Sequence, residues 1–406
     1  MTPREDGVVV IGAGVAGLAA AGHLRAHGVV TTLIEALPRI GGRAYTTLIG
    51  QDPFDHGATW LHDADRNPLA ACATPADALV DTGEARQERL TLSGRPASPA
   101  EHAAYDTAWS QIDQLTPTTP DETLAAALAR LPQSEWSPLI ALWEGPIIAA
   151  ADPARLGLQD WHRNRLDGRN LAPRAGLGAY LASHLATEAT LSTQANLVTW
   201  SGPGISIETT KGVIMAAAAI VTVSTGVLAR QAIAFDPPLP QDLQETIHAL
   251  PMGLLTKLAL PCASGLGLPP STVLIDRDAT MTFIARPLGR AHLMAFIGGD
   301  LAWSFSNDQA ALEDHARSEL RRTLGADALR HIAPAAVLTT WGTDPAFNGA
   351  YAYAGPQHFG HRAALAEAFP GDKLLFAGEA TRTDGLAGTV GGAYLSGIKA
   401  AERLLA

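Results

Sequence analysis

The chain opens with a glycine-rich turn between a strand and a helix, an arrangement that can bind a diphosphate. A β-branched run, residues 8–11, precedes the turn, and an alanine-rich helical stretch continues to about His27. Glycines let the backbone approach a pyrophosphate, and a helix N-terminus supplies free N–H groups and a partial positive charge. We therefore predict dinucleotide contacts at Gly12, Gly14, Val15, Ala16 and Gly17.

A carboxylate follows the second apolar run of the chain. Residues 29–34 are predicted to form a strand that ends at Glu35, which completes a βαβ unit. The carboxylate can accept hydrogen bonds from both hydroxyls of an adenosine ribose, with Ala36 beside it. The alternative is a tight turn with a purely structural role, which does not need the acid.

A second glycine turn, residues 36–43 (ALPRIGGR), comes directly after Glu35. Gly41, Gly42 and Arg43 can add backbone N–H groups and a guanidinium beside the same pyrophosphate. Enzymes that use NAD do not ordinarily need this addition.

The GAGVAG turn, the glutamate, the IGGRAYT of residues 40–46 and the block GEATRTDGLAGTVGGAYLSGIKAAERL of residues 378–404 resemble the flavin-containing amine oxidases. The resemblance covers both ends of the chain and several interior blocks. It implies FAD as cofactor and an α/β fold, in which a Rossmann-like FAD-binding domain of the GR2 type is interleaved with an α+β substrate-binding domain.

We expect this division to follow changes in the sequence pattern. The FAD-binding domain is assigned to residues 1–62, 172–257 and 340–406, and the substrate-binding domain to residues 63–171 and 258–339. Alanine, leucine and tryptophan recur at helical spacing between 63 and 170, which predicts a helical insertion there. Later strands are predicted at 191–207, 219–223, 273–275, 281–285, 292–297 and 373–377, and later helices near 176, at 309–324 and at 390–405.

By resemblance, the turn near the end of the chain contacts the cofactor. Gly378 and Glu379 are implied near the diphosphate and ribityl chain of FAD, and Gly388, Thr389 and Val390 at the flavin ring. A helix N-terminus there would stabilise the negative charge that develops on reduction. The alternative for Glu379 is a solvated turn carboxylate.

Residues 54–62 (FDHGATWLH) resemble the family's block beneath the flavin, and their continuation is similar to the polyamine oxidase branch. The implied cofactor contacts are Gly57, Ala58, Thr59 and Trp60. A histidine ordinarily titrates near neutrality, so His62 can bind a substrate amine or remove its proton. A structural histidine is the alternative.

Three further residues are implied at the reacting end of the site. Lys257 resembles the family's lysine that holds a water against flavin N5, although an edge lysine whose tip reaches water is the alternative. Trp341 and Tyr351 resemble aromatic walls on the substrate side of the flavin, with Trp341 also contacting the cofactor. Ordinary aromatic core is the alternative for both. We expect Thr389 to belong to the catalytic residues together with these three.

The chain departs from the family pattern at three positions. Ala350 replaces the cysteine that attaches the flavin in animal monoamine oxidases, so we expect non-covalent FAD. Thr389 replaces the second tyrosine of an aromatic cage, which puts substrate preference in doubt. Leu37 replaces an arginine common after the ribose glutamate, which removes one cofactor contact.

The resemblance implies oxidation of an amine C–N bond by hydride transfer to flavin N5, hydrolysis of the imine, and O2 as acceptor with H2O2 as product. Polyamines are the expected substrates, with Glu144 and Asp152 as candidate partners for distal ammonium groups. One alternative is a related flavoenzyme that oxidises an amino acid, whose carboxylate Arg163, Arg165 or Arg286 would bind, or that oxidises another hydride donor. Two others are a flavin dehydrogenase that uses an acceptor other than O2, and a flavoprotein that binds FAD without turnover.

Composition limits the class of protein. The 406 residues suit two domains, and a net charge of −11 argues against nucleic-acid binding. Cys72 and Cys262 lie far apart without a metal-binding spacing, so neither a disulfide framework nor a metal is expected. Because the polar tail runs straight into the first strand, we expect no signal peptide and a cytoplasmic protein, and no apolar stretch is long enough for a membrane span. The oligomeric state is not predicted.

Overall fold

The computed structural model describes residues 7–262 and 266–406; the polar tail expected at residues 1–6 lies outside that range. Its helices, in chain order, are α1 (Val15–Ala26), α2 (Pro68–Ala71), α3 (Thr82–Ala85), α4 (Pro99–Gln111), α5 (Leu124–Ala129), α6 (Ser137–Leu142), α7 (Leu158–Arg163), α8 (Leu177–His184), α9 (Thr225–Ala229), α10 (Gln241–His248), α11 (Gly299–Ser304), α12 (Gln309–Leu324), α13 (His361–Glu367) and α14 (Val390–Leu405). A π-helical turn, Trp143–Ile147, follows α6.

The strands, in chain order, are β1 (Val8–Ile11), β2 (Thr31–Ile34), β3 (Thr46–Ile49), β4 (Asp52–Asp55), β5 (Leu79–Asp81), β6 (Gln87–Leu92), β7 (Arg95–Pro96), β8 (Leu171–Pro173), β9 (Ala195–Thr199), β10 (Ile205–Thr209), β11 (Gly212–Ala216), β12 (Ala218–Val221), β13 (Ala234–Asp236), β14 (Met252–Gly253), β15 (Leu255–Pro261), β16 (Thr272–Asp276), β17 (Thr282–Ala285), β18 (His292–Gly298), β19 (Val337–Leu338), β20 (Tyr351–Ala352) and β21 (Leu374–Phe376).

A parallel four-stranded sheet, in the order β2–β1–β12–β21, forms the first layer. Its strands β1, β12 and β21 are apolar on both faces, as parallel strands covered on both sides must be, whereas the edge strand β2 begins with two partly exposed threonines. Val8 and Val10 of β1 face the core that includes α1 and α14, whereas Val9 and Ile11 face the core beneath the small sheet β11–β10–β9–β13. The predicted opening strand, helix and strand are therefore confirmed, and the last predicted strand joins the same sheet.

Helices α1 and α14 pack closely on one face of this sheet. A Cβ atom on Gly397 of α14 would lie 2.1 Å from the backbone oxygen of Ala16 in α1, so the contact requires glycine. Helix α1 follows β1 through the glycine turn at residues 12–14, and α14 follows β21 through the turn at residues 378–389. Because parallel strands end at the same edge, the glycine turns from the two ends of the chain lie side by side.

The second large sheet has seven strands in the order β19–β15–β18–β17–β16–β6–β7. One face packs against α12 through residues such as Leu258 and Ile297, which share a core with Leu312 and Leu320 of that helix. Alternate residues point to the opposite face. Lys257 on β15 pairs with Phe296 on β18, so both side chains face away from α12.

The predicted helical insertion at residues 63–170 is wrong in part, because this segment also contains β5, β6 and β7, with β8 beginning at residue 171. Strand β6 pairs in parallel with β16, about half the chain away, so no local pattern indicates its partner. The expected division after residue 257 falls inside β15, which belongs along its whole length to the seven-stranded sheet. Helices α12 and α14 match the predicted spans at both ends.

We predict that Gly17→Ala destabilises the first glycine turn. A Cβ atom at residue 17 would lie 1.8 Å from the backbone oxygen of Gly12, so the turn must shift, at a cost of about 1–3 kcal/mol. Urea unfolding of the FAD-free protein measures this cost. Gly22→Ala in the same helix is the matched control, because its Cβ would meet nothing within 4 Å, and we expect it to stabilise by about 0.5–1 kcal/mol. Equal effects of the two substitutions would contradict the packing described here.

Candidate active site

One cavity of about 790 Å³ lies between the two large sheets and borders both glycine turns. Its size is typical of a ligand site. The predicted site residues that border it are Gly12, Gly14, Val15, Ala16, Glu35, Ala36, Gly41, Gly42, Arg43, Gly57, Ala58, Thr59, Trp60, His62, Glu144, Lys257, Trp341, Tyr351, Gly378, Glu379, Gly388, Thr389 and Val390.

Two predicted site residues do not border the cavity. Gly17 contacts the backbone of Gly12 instead, so its lack of a side chain serves the packing of the turn. Asp152 accepts a hydrogen bond from the backbone N–H of Asp300, at 2.7 Å, outside the cavity. The prediction of Asp152 as a substrate partner is therefore wrong. The expectation rests on one helical segment that would carry residues 144 and 152 and face the pocket, but the π-helical turn ends at Ile147 and Asp152 lies beyond it.

The first and second glycine turns are joined to each other. The N–H of Gly41 donates to the carbonyl oxygen of Ala13 at 2.8 Å, and a Cβ atom on Gly42 would lie 3.2 Å from the Cα of Gly14. A Cβ on Gly14 or Gly378 would meet nothing within 4 Å, so the backbone at both residues borders open space. The diphosphate of a dinucleotide would lie in this space, beside the N-terminus of α1, which no side chain caps.

Glu35 is fixed by two backbone hydrogen bonds. One carboxylate oxygen accepts from Ala13 N–H at 2.7 Å and the other from Leu37 N–H at 2.9 Å. Burial raises the pKa of Glu35, and these N–H groups oppose that rise. The carboxylate is thus held in one orientation at the cavity wall, beside Ala36, and contact with the ribose hydroxyls stays a prediction.

Arg43 and Glu379 connect the two ends of the chain. The Arg43 Nη1 lies 2.9 Å from a carboxylate oxygen of Glu379 and donates to the carbonyl oxygen of Ala350 at 2.6 Å. Glu379 is 7% exposed and also accepts from the N–H of Ala352 at 3.2 Å. The alternative of a solvated turn carboxylate is therefore wrong.

Lys257 is buried at the cavity wall, with only 4% of the residue exposed. Its ammonium donates to the carbonyl oxygen of Gly57 and to the hydroxyl of Thr59, the latter at 2.5 Å, and lies 5.6 Å and 5.3 Å from the ring centroids of Trp60 and Phe296. Burial lowers the pKa of Lys257 to about 8. The edge-lysine alternative is wrong, because the tip does not reach bulk water.

His62 borders the cavity and is held by Asn170. Its Nδ1 lies 2.8 Å from the side-chain oxygen of Asn170, which can only accept, so Nδ1 carries the hydrogen and Nε2 is the free acceptor of the neutral ring. Burial lowers the pKa of His62, and Lys257 lowers it further, while the Asn170 hydrogen bond raises it. A neutral histidine suits contact with an amine. Asn170 was missed in the sequence because it lies 108 residues away.

Trp341, Tyr351 and Thr389 have their polar atoms engaged with the protein. Trp341 donates to the carbonyl oxygen of His56 at 3.2 Å, and the Tyr351 hydroxyl donates to the carbonyl oxygen of Ile148 at 2.7 Å. Both rings are thereby fixed at the cavity. The Thr389 hydroxyl accepts from Gly392 N–H at 3.0 Å and caps α14, so it is not a free polar group beside the flavin ring. A catalytic role for it stays a prediction.

Glu144 lies on the π-helical turn and is 6% exposed. Its carboxylate accepts from the indole N–H of Trp161 at 2.7 Å and forms no ion pair with any residue in 7–262 and 266–406. Burial raises its pKa, and the indole N–H of Trp161 and the charge of Arg165 oppose that rise. Trp143, Trp161 and Phe296 also border this part of the cavity and were missed, because nothing in their local sequence distinguishes them from core residues.

The arginines proposed for a carboxylate-bearing substrate lie in different places. Arg163 and Arg286 do not border the cavity, whereas Arg165 does and pairs with Asp113 at 2.8 Å. Neither Cys72 nor Cys262 borders it. Within residues 7–262 and 266–406, no cluster of His, Cys, Asp and Glu is arranged to hold a metal, and no helix is long and apolar enough to cross a bilayer.

Comparison with known proteins agrees with this geometry. A family model described as flavin containing amine oxidoreductase matches residues 97–405, and a model described as NAD(P)-binding Rossmann-like domain matches residues 10–72. The chain therefore belongs to the flavin-containing amine oxidoreductases. The predicted family, the α/β fold and FAD as the cofactor are confirmed.

Named relatives extend across nearly the whole chain. Lysine-specific histone demethylase 1 homolog 2 of Arabidopsis thaliana is 26% identical over 99% of this chain, which spans 58% of that protein. Polyamine oxidase 3 of Oryza sativa subsp. japonica is 28% identical, with 97% of this chain and 88% of the relative covered. A solved structure of putrescine oxidase bound to putrescine has a TM-score of 0.79 at 18% identity, with 99% of both chains covered, and this likeness concerns the fold.

We predict that Glu35→Gln weakens FAD binding. The carboxylate accepts from two N–H groups, and an amide would place its NH2 against one of them. We expect the Kd for FAD, measured by titrating the FAD-free protein, to rise about tenfold or more. Glu208→Gln on the exposed face of β10 is the control and should leave the Kd unchanged. An unchanged Kd for Glu35→Gln would remove Glu35 from the FAD site.

Proposed function

We propose that this protein oxidises a C–N bond of a diamine or polyamine, with non-covalent FAD as cofactor, O2 as acceptor and H2O2 as product. Amine oxidation follows from the family. The observation that carries the choice of substrate is Glu144, a buried carboxylate at the cavity that forms no direct ion pair with any described residue and feels only the more distant charge of Arg165. A buried charge without a partner is costly, so a cationic ligand would stabilise it. The relatives named polyamine oxidase and putrescine oxidase support the same choice.

The arrangement of side chains suits a neutral reacting amine. When bound, FAD supplies the acceptor for the hydride that leaves the carbon next to the amine nitrogen. An alkylamine has a pKa of about 10, so the site must either bind its minor neutral form or remove the proton of the ammonium after binding. Trp341 and Tyr351 provide walls whose polar atoms are already bonded to the protein. The free Nε2 of neutral His62 can accept the proton that the amine loses.

Lys257 provides a cation with a lowered pKa at the same cavity. Its ammonium is fixed by Gly57 and Thr59, so it does not reorganise when charge develops nearby. Non-covalent FAD is supported by the position of both cysteines away from the cavity and by the alanine at position 350.

A second candidate is oxidation of an amine that carries a carboxylate, such as an amino acid. Arg290 borders the cavity, is mostly buried, and forms no ion pair with any residue that the structure describes. It donates to the carbonyl oxygen of Arg174 at 3.1 Å. A free guanidinium is the group that a carboxylate-bearing substrate requires.

We expect an anaerobic panel of amines to bleach the bound flavin selectively. 1,4-Diaminobutane should reduce it with a kcat/KM about tenfold or more above that of butylamine, because only the diamine supplies a cation for Glu144. On admission of air, the flavin should reoxidise with release of H2O2. A preference for amino acids would favour the second candidate. Reduction without reoxidation in air would indicate a dehydrogenase, and no reduction by any amine would contradict the proposal.

We predict that Lys257→Met slows the reaction of the reduced enzyme with O2 by about tenfold or more, because it removes a cation that stabilises developing negative charge. The Lys257 pKa of about 8 fixes the sign of the pH dependence. In the wild type the rate should fall as pH rises through this value, whereas the variant should be slow throughout. Stopped-flow spectroscopy measures the rate. Lys399→Met, at an exposed lysine paired with Glu367, is the control. A wild-type rate in Lys257→Met would contradict the assignment.

A further inference from the structure

We propose that Asp55 is a positioning residue for Lys257, because its backbone and its carboxylate together hold the ammonium in place and balance its charge. This inference rests on the proposed role of Lys257 in the reaction of the reduced enzyme with O2. Asp55 ends β4, is 2% exposed, and borders the same cavity as Lys257. The two residues are 202 positions apart in the chain, so the fold alone brings them together.

The Lys257 ammonium is held by the short segment that begins at Asp55. Its Nζ lies 3.4 Å from the backbone oxygen of Asp55, and it donates to the carbonyl oxygen of Gly57 and to the hydroxyl of Thr59. All three acceptors lie within residues 55–59, so the course of this segment decides where the ammonium lies. The segment therefore needs an anchor of its own.

The carboxylate of Asp55 supplies this anchor, because it binds the N-terminus of α8. One oxygen accepts from the N–H of Leu177 at 3.0 Å, and the other accepts from the N–H of Gly178 at 3.2 Å and from the hydroxyl of Thr46. The helix approaches this closely because residue 178 is a glycine, whose Cβ would lie 2.5 Å from the backbone nitrogen of Thr46. All three partners are donors, which suits a carboxylate anion at a helix N-terminus.

Asp55 and Lys257 also carry opposite charges that are buried at the same place. Neither side chain forms a direct ion pair with any residue in 7–262 and 266–406. A buried charge is costly unless another charge or a set of hydrogen bonds compensates it. The contact between the ammonium and the backbone of Asp55 keeps the two charges near each other, so each one stabilises the other.

The other titratable groups that face Lys257 are His56 and His62. Burial lowers the pKa of both histidines, so near pH 8 their rings are uncharged. Burial also lowers the pKa of Lys257 to about 8, and the charge of Asp55 opposes that fall. Within the part of the chain that the structure describes, Asp55 is therefore the charge that keeps Lys257 protonated.

The test measures the protonation of Lys257 directly, by NMR of protein labelled with carbon-13 at the lysine Cε and titrated with pH in the absence of FAD. The signals to be resolved are those of Lys211, Lys257, Lys373 and Lys399, and the Lys257→Met variant identifies the second of them. In Asp55→Asn and in Asp55→Ser, we expect the Lys257 midpoint to move to lower pH by about one pH unit or more, because a nearby negative charge is lost.

The same variants, loaded with FAD and reduced, should show a matching change in the reaction with O2. The rate should begin to fall at lower pH than in the wild type, because the ammonium loses its proton earlier. At still lower pH, where Lys257 is charged in every variant, the Asp55 variants should be no slower than the wild type. Stopped-flow spectroscopy measures these rates.

Two controls separate the charge of Asp55 from other effects. Asp52→Asn removes a carboxylate at the other end of β4, which accepts from the N–H of Ala291 and acts on Arg290. It should leave the Lys257 midpoint unchanged. Thr46→Val removes one donor from the anchor but keeps the charge of Asp55, and it should leave the midpoint close to the wild-type value.

Several outcomes would overturn the inference. An unchanged Lys257 midpoint in a folded Asp55 variant would contradict it, as would an equal shift in Asp52→Asn. An equal shift in Thr46→Val would leave Asp55 a structural role only. If one Asp55 variant does not fold, the other decides. A wild-type rate with O2 in Lys257→Met would contradict the proposed role of Lys257, whereas the titration without FAD tests Asp55 independently of that result.

Discussion

The ion pair between Arg43 and Glu379 is the contact on which the cofactor side of the cavity depends. Arg43 belongs to the second glycine turn and Glu379 to the turn before the last helix, and their charged atoms lie 2.9 Å apart. Both are largely removed from water, so the loss of one would leave the other charge without a partner at considerable cost. The pair also orients the strand β20, because Arg43 contacts Ala350 and Glu379 contacts Ala352. The aromatic wall at Tyr351 is placed as a result.

The seven-stranded sheet explains why a lysine can be buried in an otherwise apolar strand. One face of β15 packs against α12, and the other borders the cavity. The alternation of the strand places Lys257 on the cavity face, where backbone oxygens and a hydroxyl satisfy its ammonium. A shift of pairing by one residue would direct this charge into the apolar core beneath α12, so the register of β15 and the position of the charged group are determined together.

Much of the cofactor site could be predicted from the sequence because its residues lie in short blocks with fixed spacing. The glycine turns, Glu35 and the helix α14 are of this kind. Gly17 was assigned to the cofactor because glycine serves close ligand approach, and in the structure it also serves close packing against Gly12. Asn170 was missed, since its partner His62 lies 108 residues away along the chain, and Trp161 was missed because nothing in its local sequence distinguishes it from a core residue. Strand β6 was missed because its partner β16 lies about half the chain away, and Asp152 was wrongly included because it lies beyond the π-helical turn that carries Glu144.

The separation of Arg43 and Glu379 along the chain has a consequence for biosynthesis. The two residues are 336 positions apart. At a translation rate of about 5–20 residues per second, the ribosome makes the second about 17–67 s after the first. During that interval the nascent N-terminal turns have no partner for Arg43 and only part of the diphosphate cradle. Tight capture of FAD must therefore await the final segment of the polypeptide, and the nascent chain emerges with its nucleotide site still open on one side.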